Sequence, residues 1–476
     1  MTKILRFFIL VAVLAALWCG VLWLGLPREW IQDLLQAGSL SALIAAHVGP
    51  PLFVATAWRL CKWAWNWRVR RAEKRGVTKK LTDQQTAQEA AQTAHEREQA
   101  RLRAHVECRA AWMVVPEAPV WFEDEPAQCA LILQNAEEIQ GTGREAALSA
   151  PLHQVLELAL LKSEASAFLP IMLVTDSPAH REWITQAWHQ AVKTSGIEHH
   201  PSEPGCAVLP GSGGIPDRVV TLFEENPNLP AVLLVGMDSP LADARSSDGS
   251  EDSEAPRPGH ALVVLLLSRP GLIAPGDVPQ ADLVRDADPY TPFWEREQNS
   301  KRVVDTPGWG RVPPVLRPAF VQKSPPIATL HRMSAIDSLA PRRNALIKQL
   351  NDATHDALVR AGLCALPSEG EAPEAPSGEP KPPELGWLVH NVSPERLGLV
   401  TNALLAHGYE LEPPKETGHI EEDHGDTGTA RGVLMLSEAL FRAERLKQPV
   451  AVAEVAGNGG GMGIGLVRPV LRKEAA

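Results

Sequence analysis

Residues Phe7 to Leu26 read FFILVAVLAALWCGVLWLGL, twenty positions without a charge. At 1.5 Å per residue a helix of that length covers the hydrocarbon core of a bilayer. It has no polar face with which to sit on a soluble core. Lys3 and Arg6 precede it and no small-x-small cleavage site follows, so an uncleaved span is expected rather than a secretory signal. A second apolar stretch, 40–60 (LSALIAAHVGPPLFVATAWRL), holds His47 and Pro50-Pro51. Trp58, Trp63, Trp65 and Trp67 then read as an interfacial aromatic belt. Arg68, Arg70, Arg71, Lys74, Arg75, Lys79 and Lys80 follow, while the loop between the stretches carries Arg28 against Glu29 and Asp33. Positive charge at both outer ends places both ends in the cytoplasm. Residues 1–80 are therefore expected to form a transmembrane helical hairpin touching lipid through 7–26 and 40–60. A re-entrant or interfacial helix is the alternative for the second stretch.

The charge balance supports this division. Residues 1–80 carry 12 Lys/Arg against 3 Asp/Glu, whereas the remainder of the 476 carries 34 against 54. So acidic a body excludes a nucleic-acid partner, since phosphate attraction needs clustered positive charge. The six cysteines (19, 61, 108, 129, 206, 364) include no CxxC, which excludes a disulfide framework or structural zinc and fits a reducing compartment.

Residues 81–108 are rich in Ala, Gln, Glu and Arg and lack Gly and Pro, the composition of an exposed helical stalk. Beyond it, short apolar runs alternate with helical patterns, an α/β signature. Strands are expected at 110–115, 129–133, 169–175, 230–236, 261–268, 386–390 and 450–456. Helices are expected at 144–163, 178–194, 215–227, 334–362, 393–407 and 430–446. Acidic Pro/Ser/Gly inserts at 244–259 and 367–384 read as disordered loops.

Few residues announce chemistry. His180, His189, His199 and His200 have no carboxylate or Cys at ligand spacing, so a metal site is not expected. The PGSGG segment (210–214) lacks the ending of a phosphate loop and reads as a glycine turn opening a helix with Pro216 in its first turn. No G-x-S-x-G elbow, nucleotide or flavin signature appears, and no cofactor is expected.

The C-terminal segment says more. HGDTGTARG (424–432) precedes an apolar helix, a strand at 450–456 and the loop GNGGGMGIGLV (457–467). This order resembles the end of a thiolase-like, β-ketoacyl-synthase-type domain. Gly428, Ala430 and Gly432 fit its turn; Asn458, Gly459, Gly460 and Gly461 fit its closing loop; the strand ending at His390 lies where that family carries an active-site histidine. The helix 215–227 with AVLLVGMDS and ALVVLLLS resembles the stretch after the family's nucleophile. The resemblance implies a duplicated α/β/α body, halves at 109–300 and 301–476, and a possible homodimer.

The family's nucleophilic Cys has no clear counterpart. Counting back from VLLVG reaches Pro210, Gly211 and Ser212, with Cys206 a few residues early and His424 one residue out of step. The whole pattern, an anchored acidic chain with a degenerate thiolase-like body, resembles the type VI secretion lipase-adaptor family. That implies a non-catalytic adaptor at the bacterial inner membrane, body in the cytoplasm, binding a lipase effector or secretion-spike component. The alternative is an acyl-thioester-binding or acyl-transfer enzyme using Cys206, His390 and His424. A membrane scaffold acting through the hairpin is a third reading. If the 457–467 loop needs positive φ, Gly459, Gly460 and Gly461 are structurally required.

Overall fold

The structure is a computed structural model. It describes residues 3–25, 40–119, 128–175, 177–198, 200–244, 256–272, 308–364, 384–455 and 461–471, with a few isolated positions between them. The chain divides into two compact units, Met1–Arg97 and Glu98–Ala476.

The first unit is helical. Helix α1 spans Lys3–Gly25 and helix α2 spans Leu40–Leu102, the latter with Pro50 and Pro51 inside it. The Arg59 guanidinium lies 4.6 Å from the centre of the Phe7 ring, so the two helices touch, and Ala55 is fully buried. Among the described residues, no helix is long and apolar enough to cross a membrane. Residues 81–108 are not all stalk: the helix ends at Leu102, and a strand that requires partners in the body begins at His105.

The second unit is built around strands buried on both faces. All eight residues of Ala231–Asp238 and of Ala261–Ser268 are buried, which fits strands covered by helices above and below. In chain order the unit runs β1 (His105–Val115), β2 (Cys129–Leu133), α3 (Arg144–Lys162), β3 (Ile171–Leu173), α4 (Pro178–Ser195), β4 (Cys206–Val208), α5 (Ile215–Glu225), β5 (Ala231–Asp238) and β6 (Ala261–Ser268). The series then repeats as β7 (Ala328–His331), β8 (Ser334–Ile336), α6 (Arg343–Arg360), β9 (Trp387–His390), α7 (Pro394–Ala406), β10 (Thr417–His419), α8 (Arg431–Leu446), β11 (Val450–Val455) and β12 (Met462–Pro469).

The sheet order exposes the duplication. It reads β10-β9-β11-β12-β7-β1-β6-β5-β3-β4. Outward from the central pair, β1-β6-β5-β3-β4 mirrors β7-β12-β11-β9-β10, each strand meeting its counterpart in the other half. The orientations match as well: β3 is parallel to β4 and β5, as β9 is to β10 and β11, and both halves then turn antiparallel at β6 and β12. The halves join through β1 and β7, antiparallel over His105–Cys108.

Three cores separate five layers. Helices α3 and α4 cover the outer face of the first half-sheet through Leu148, Leu152, Leu156, Ile184 and Trp188. Helices α6 and α7 cover the outer face of the second through Leu350, Ala357, Leu358, Val400 and Leu404. Between the half-sheets lie α5 and α8. Helix α8 is buried without interruption from Val433 to Ala443, as a helix enclosed on all sides must be. It approaches β5 so closely at Gly236 that a Cβ there would stand 2.6 Å from Val433 Cγ2.

The expected strands and helices are found within a few residues, with one correction: 334–336 is strand β8 rather than the start of a helix, which begins at Arg343. Trp309, Val312 and Phe320 pack in the core of the first half. Insert residues 245–255 and 367–383 lie outside the described residues, as do Gly459 and Gly460. Residues 256–259 are not a loose loop, because Asp426 N donates to Arg257 O and Gly259 N to Asp426 O, both at 2.8 Å. Gly461 is required by a close approach rather than a positive φ, since a Cβ there would meet the Ile336 carbonyl oxygen at 2.8 Å.

Candidate functional site

The sequence-nominated residues do not all meet. Strands β9 and β10 pair in register, His390 beside His419, and this alone brings their rings to 5.0 Å, edge to face. The chain then makes the short helix Ile420–His424, turns at Gly425 and Gly428, both with positive φ, and enters α8. His424 is buried, and its Nε2 faces Glu438 Oε2 on α8 at 3.7 Å. Glu438 Oε1 accepts from Arg442 Nη2 at 2.6 Å, and the Arg442 guanidinium lies 3.8 Å over the Trp387 ring. Gly418 leaves room for this pair, as a Cβ there would stand 2.8 Å from Arg442 Nη2.

The electrostatics follow from enclosure. Burial pushes the Glu438 carboxyl up, but His424 and Arg442 outweigh it and hold the group below its ordinary value. Burial pushes His390 down to about 4, assisted by His419, so it is neutral at pH 7. Asp423 is raised by burial and by the Glu438 charge.

His424 and Asp423 also border a cavity of about 300 Å³ whose other walls come from the first half: Glu117, Gln140, Leu241, Arg257 and Gly259 among them. Arg257 closes one side by donating through Nη2 to the carbonyl of Asp423 at 2.8 Å. The edge of this wall is fixed by the end of β5. Asp238 Oδ2 accepts from Thr429 N at 2.9 Å, while Oδ1 accepts from Arg144 Nη1 and Ser239 N, each at 2.8 Å. Next to it, Ser239 Oγ and His260 Nδ1 are 2.8 Å apart and both residues are fully buried. Burial takes His260 down to about 4, against the pull of Asp238.

Cys206 stands elsewhere. It opens β4, opposite Ile171, which in turn pairs with Leu233 of β5. Asp238 is five residues further along that strand, roughly 17 Å at 3.3 Å per residue. The cysteine instead borders a separate cavity of about 540 Å³ with Phe168, Met172, Leu222 and Leu229. Burial raises its thiol pKa, with Arg181 opposing, so the group is a thiol and not an activated thiolate. Cys206, His390 and His424 are thus not brought to one place: His424 faces Glu438, His390 lies within reach of its charge, and the cysteine borders the other cavity. At the start of α5, where the count backward led, Gly211 and Gly213 have positive φ and Gly214 precedes the first turn, which holds Pro216.

Glu438, Arg442 and His419 were not legible as site residues in the sequence. Glu438 and Arg442 at i and i+4 inside an apolar helix were the available signal, since a buried charge needs a partner. His180 sits in the first turn of α4 and lies near Asp238 and Arg144; His189 and His200 flank Trp188; His199 is outside the described residues. Among the described residues, no group of three or more His, Cys, Asp or Glu could hold a metal ion.

No protein-family model matches the chain, and no curated protein sequence matches it. Solved structures do. The peroxisomal 3-ketoacyl-CoA thiolase of Saccharomyces cerevisiae is described as five-layered, with two core domains of identical topology. It is 10% identical over 77% of this chain and 98% of its own, with a TM-score of 0.39. OleA of Xanthomonas campestris, bound with cerulenin, is 11% identical over 76% and 96%, TM-score 0.36. The 3-oxoacyl-[acyl-carrier-protein] synthase III of Aquifex aeolicus is 13% identical over 76% and 99%, TM-score 0.35. The duplicated five-layer arrangement stands on this chain's own strand order. The expectation that the chain is not an enzyme finds no support in these comparisons, in which the similar structures are themselves named as a thiolase and a synthase. Nothing in these comparisons supports a type VI secretion adaptor.

Proposed function

We propose that the chain is an acyl-transfer enzyme acting on an acyl thioester, with His424 as general base. One observation carries this: His424 borders a cavity, and its Nε2 faces Glu438, a buried carboxylate held by Arg442. A base positioned by a third group is the arrangement proton transfer requires. With Nε2 turned to Glu438, Nδ1 is the nitrogen left to serve the cavity. The substrate class rests on the sequence resemblance around His390, 424–432 and 457–467.

With Cys206 remote, the acyl group passes directly to an acceptor hydroxyl or amine. The acceptor's heteroatom bonds to the carbonyl carbon, the carbon–sulfur bond breaks, and the acceptor's proton passes to His424 and on to the departing thiolate. Neutral His390 stands behind, its ring against that of His419. We infer further that α1 and the start of α2 hold the enzyme at a bilayer, with the basic run after Trp67 on the cytoplasmic side. The test is thiol release from acyl-coenzyme A by the full chain in detergent. His424→Ala should lower it by about 10²–10⁴; unchanged release rejects the assignment.

A further inference from the structure

Between Trp58 and Arg71, helix α2 presents four tryptophans and five basic residues. The tryptophans are open to their surroundings: Trp58 is 66% exposed, Trp63 68%, Trp65 69% and Trp67 50%. Their angular spacing is informative. At about 100° per residue, Trp58 and Trp65 lie on one side of the helix, while Trp63 and Trp67 lie roughly 140° and 180° around from Trp58. The basic residues keep to no face either, with Arg59, Lys62, Arg68, Arg70 and Arg71 distributed around the whole circumference. A helix that lies flat on a membrane segregates its apolar and charged residues onto opposite faces. This one does not; it wears a collar, about 14 Å tall from Trp58 to Trp67. Arg71 stacks on Trp67 with its guanidinium 4.8 Å from the ring, a pairing suited to a layer that is half apolar and half charged.

We propose that this collar seats upright in the headgroup layer of an anionic bilayer. The tryptophans occupy the interface, and Arg68, Arg70 and Arg71 engage acidic lipid headgroups just beyond it. The proposal rests on the membrane attachment inferred above and adds orientation and lipid class. Charge selects the occupant: the first 80 residues carry 12 basic against 3 acidic residues, and the sequence continues the collar with Lys74, Arg75, Lys79 and Lys80. Clusters of this size beside an apolar stretch attract anionic lipid. An acidic protein surface is the rival partner, but indoles on two opposite sides of a helix fit a surrounding solvent better than a docked face.

The test uses the full chain reconstituted into vesicles whose acyl chains carry bromine close to the headgroups, which quenches nearby indoles. Four variants, Trp58→Phe, Trp63→Phe, Trp65→Phe and Trp67→Phe, should each remove a share of quenchable emission within about twofold of the others. Quenching lost only in the Trp58 and Trp65 variants means a flat helix and overturns the proposal. At equal mole fraction, brominated phosphatidylglycerol in a phosphatidylcholine background should quench at least about threefold more than brominated phosphatidylcholine in a phosphatidylglycerol background. The triple variant Arg68→Gln, Arg70→Gln, Arg71→Gln should abolish that excess; equal quenching in the unsubstituted chain overturns the lipid class. Alkaline carbonate separates the two layers of inference. Protein stripped from vesicles overturns attachment and collar together, whereas protein that stays bound with the wrong quenching pattern overturns the collar alone.

Discussion

His424 Nε2 stands 3.7 Å from Glu438 Oε2, and among the described residues neither atom has a hydrogen-bond partner. The separation is too long for a hydrogen bond and short enough for the carboxylate to attract an imidazolium. A histidine that gains a proton during turnover is thereby stabilised at the moment of charging. Glu438→Gln keeps the shape and removes the charge. It should lower thiol release from acyl-coenzyme A by about 10- to 100-fold, in kcat rather than KM. The same substitution removes the carboxylate charge to which Arg442 Nη2 donates at 2.6 Å inside the core, so urea unfolding should show a loss of about 3 kcal/mol or more. Rescue of both defects by Glu438→Asp is not expected, since the shorter side chain cannot reach Arg442 from its position on α8.

Gly428 ties the two halves together. Its φ is +53°, and a Cβ there would overlap the carboxylate of Asp238. Asp238 is the group that accepts from Thr429 N and Arg144. Gly428→Ala should therefore cost more than about 2 kcal/mol in chemical denaturation, beyond an ordinary surface substitution. Gly408, also with positive φ (+87°) but with open space around it, gives the control: Gly408→Ala should cost only about 1 kcal/mol.

Acid should unfold the body early. His260 and His390 lie near 4 and His331 near 3, each lowered first by burial, against about 6.5 in an unfolded chain. All three are neutral when folded at pH 7. As pH falls below about 6.5, the unfolded chain takes up protons that the folded chain refuses, so stability drops until about pH 4. Denaturation midpoints measured between pH 7 and pH 4 should fall steadily, by several kcal/mol in total. A flat profile in that window contradicts the buried neutral assignments.

Much of this architecture was legible in the sequence because its strands are unusually plain. CALIL and ALVVLLLS are uniform apolar runs, and the structure starts and ends them where the runs start and end. Strand β4 was missed because CAV is three residues long and exposed in the middle, and β10, TGH, carries no apolar run at all. The helix beginning at Ile215 was foreseen from the glycines before it and the proline in its first turn, Gly211 and Gly213 taking the positive φ the turn needs. The site was less legible. His390 and His424 are 34 positions apart and were named from resemblance, but Glu438, which faces His424, looks, in sequence, like a polar residue on an amphipathic helix. Only the five-layer arrangement, which buries every side of α8, turns it into an enclosed charge. Cys206 was misplaced for the opposite reason: nearness to the helix start in sequence is undone by β4, which runs away from it.

The most direct test compares thiol release from acyl-coenzyme A for two single variants of the full chain, His424→Ala and Cys206→Ala, each first shown to be folded by near-ultraviolet circular dichroism. The account requires a drop of about 10²–10⁴ for His424→Ala and unchanged release, with no acyl mass on the protein, for Cys206→Ala. Release that survives loss of His424 and disappears with Cys206, with an acyl adduct on the unsubstituted thiol, would place the chemistry at the other cavity and contradict it.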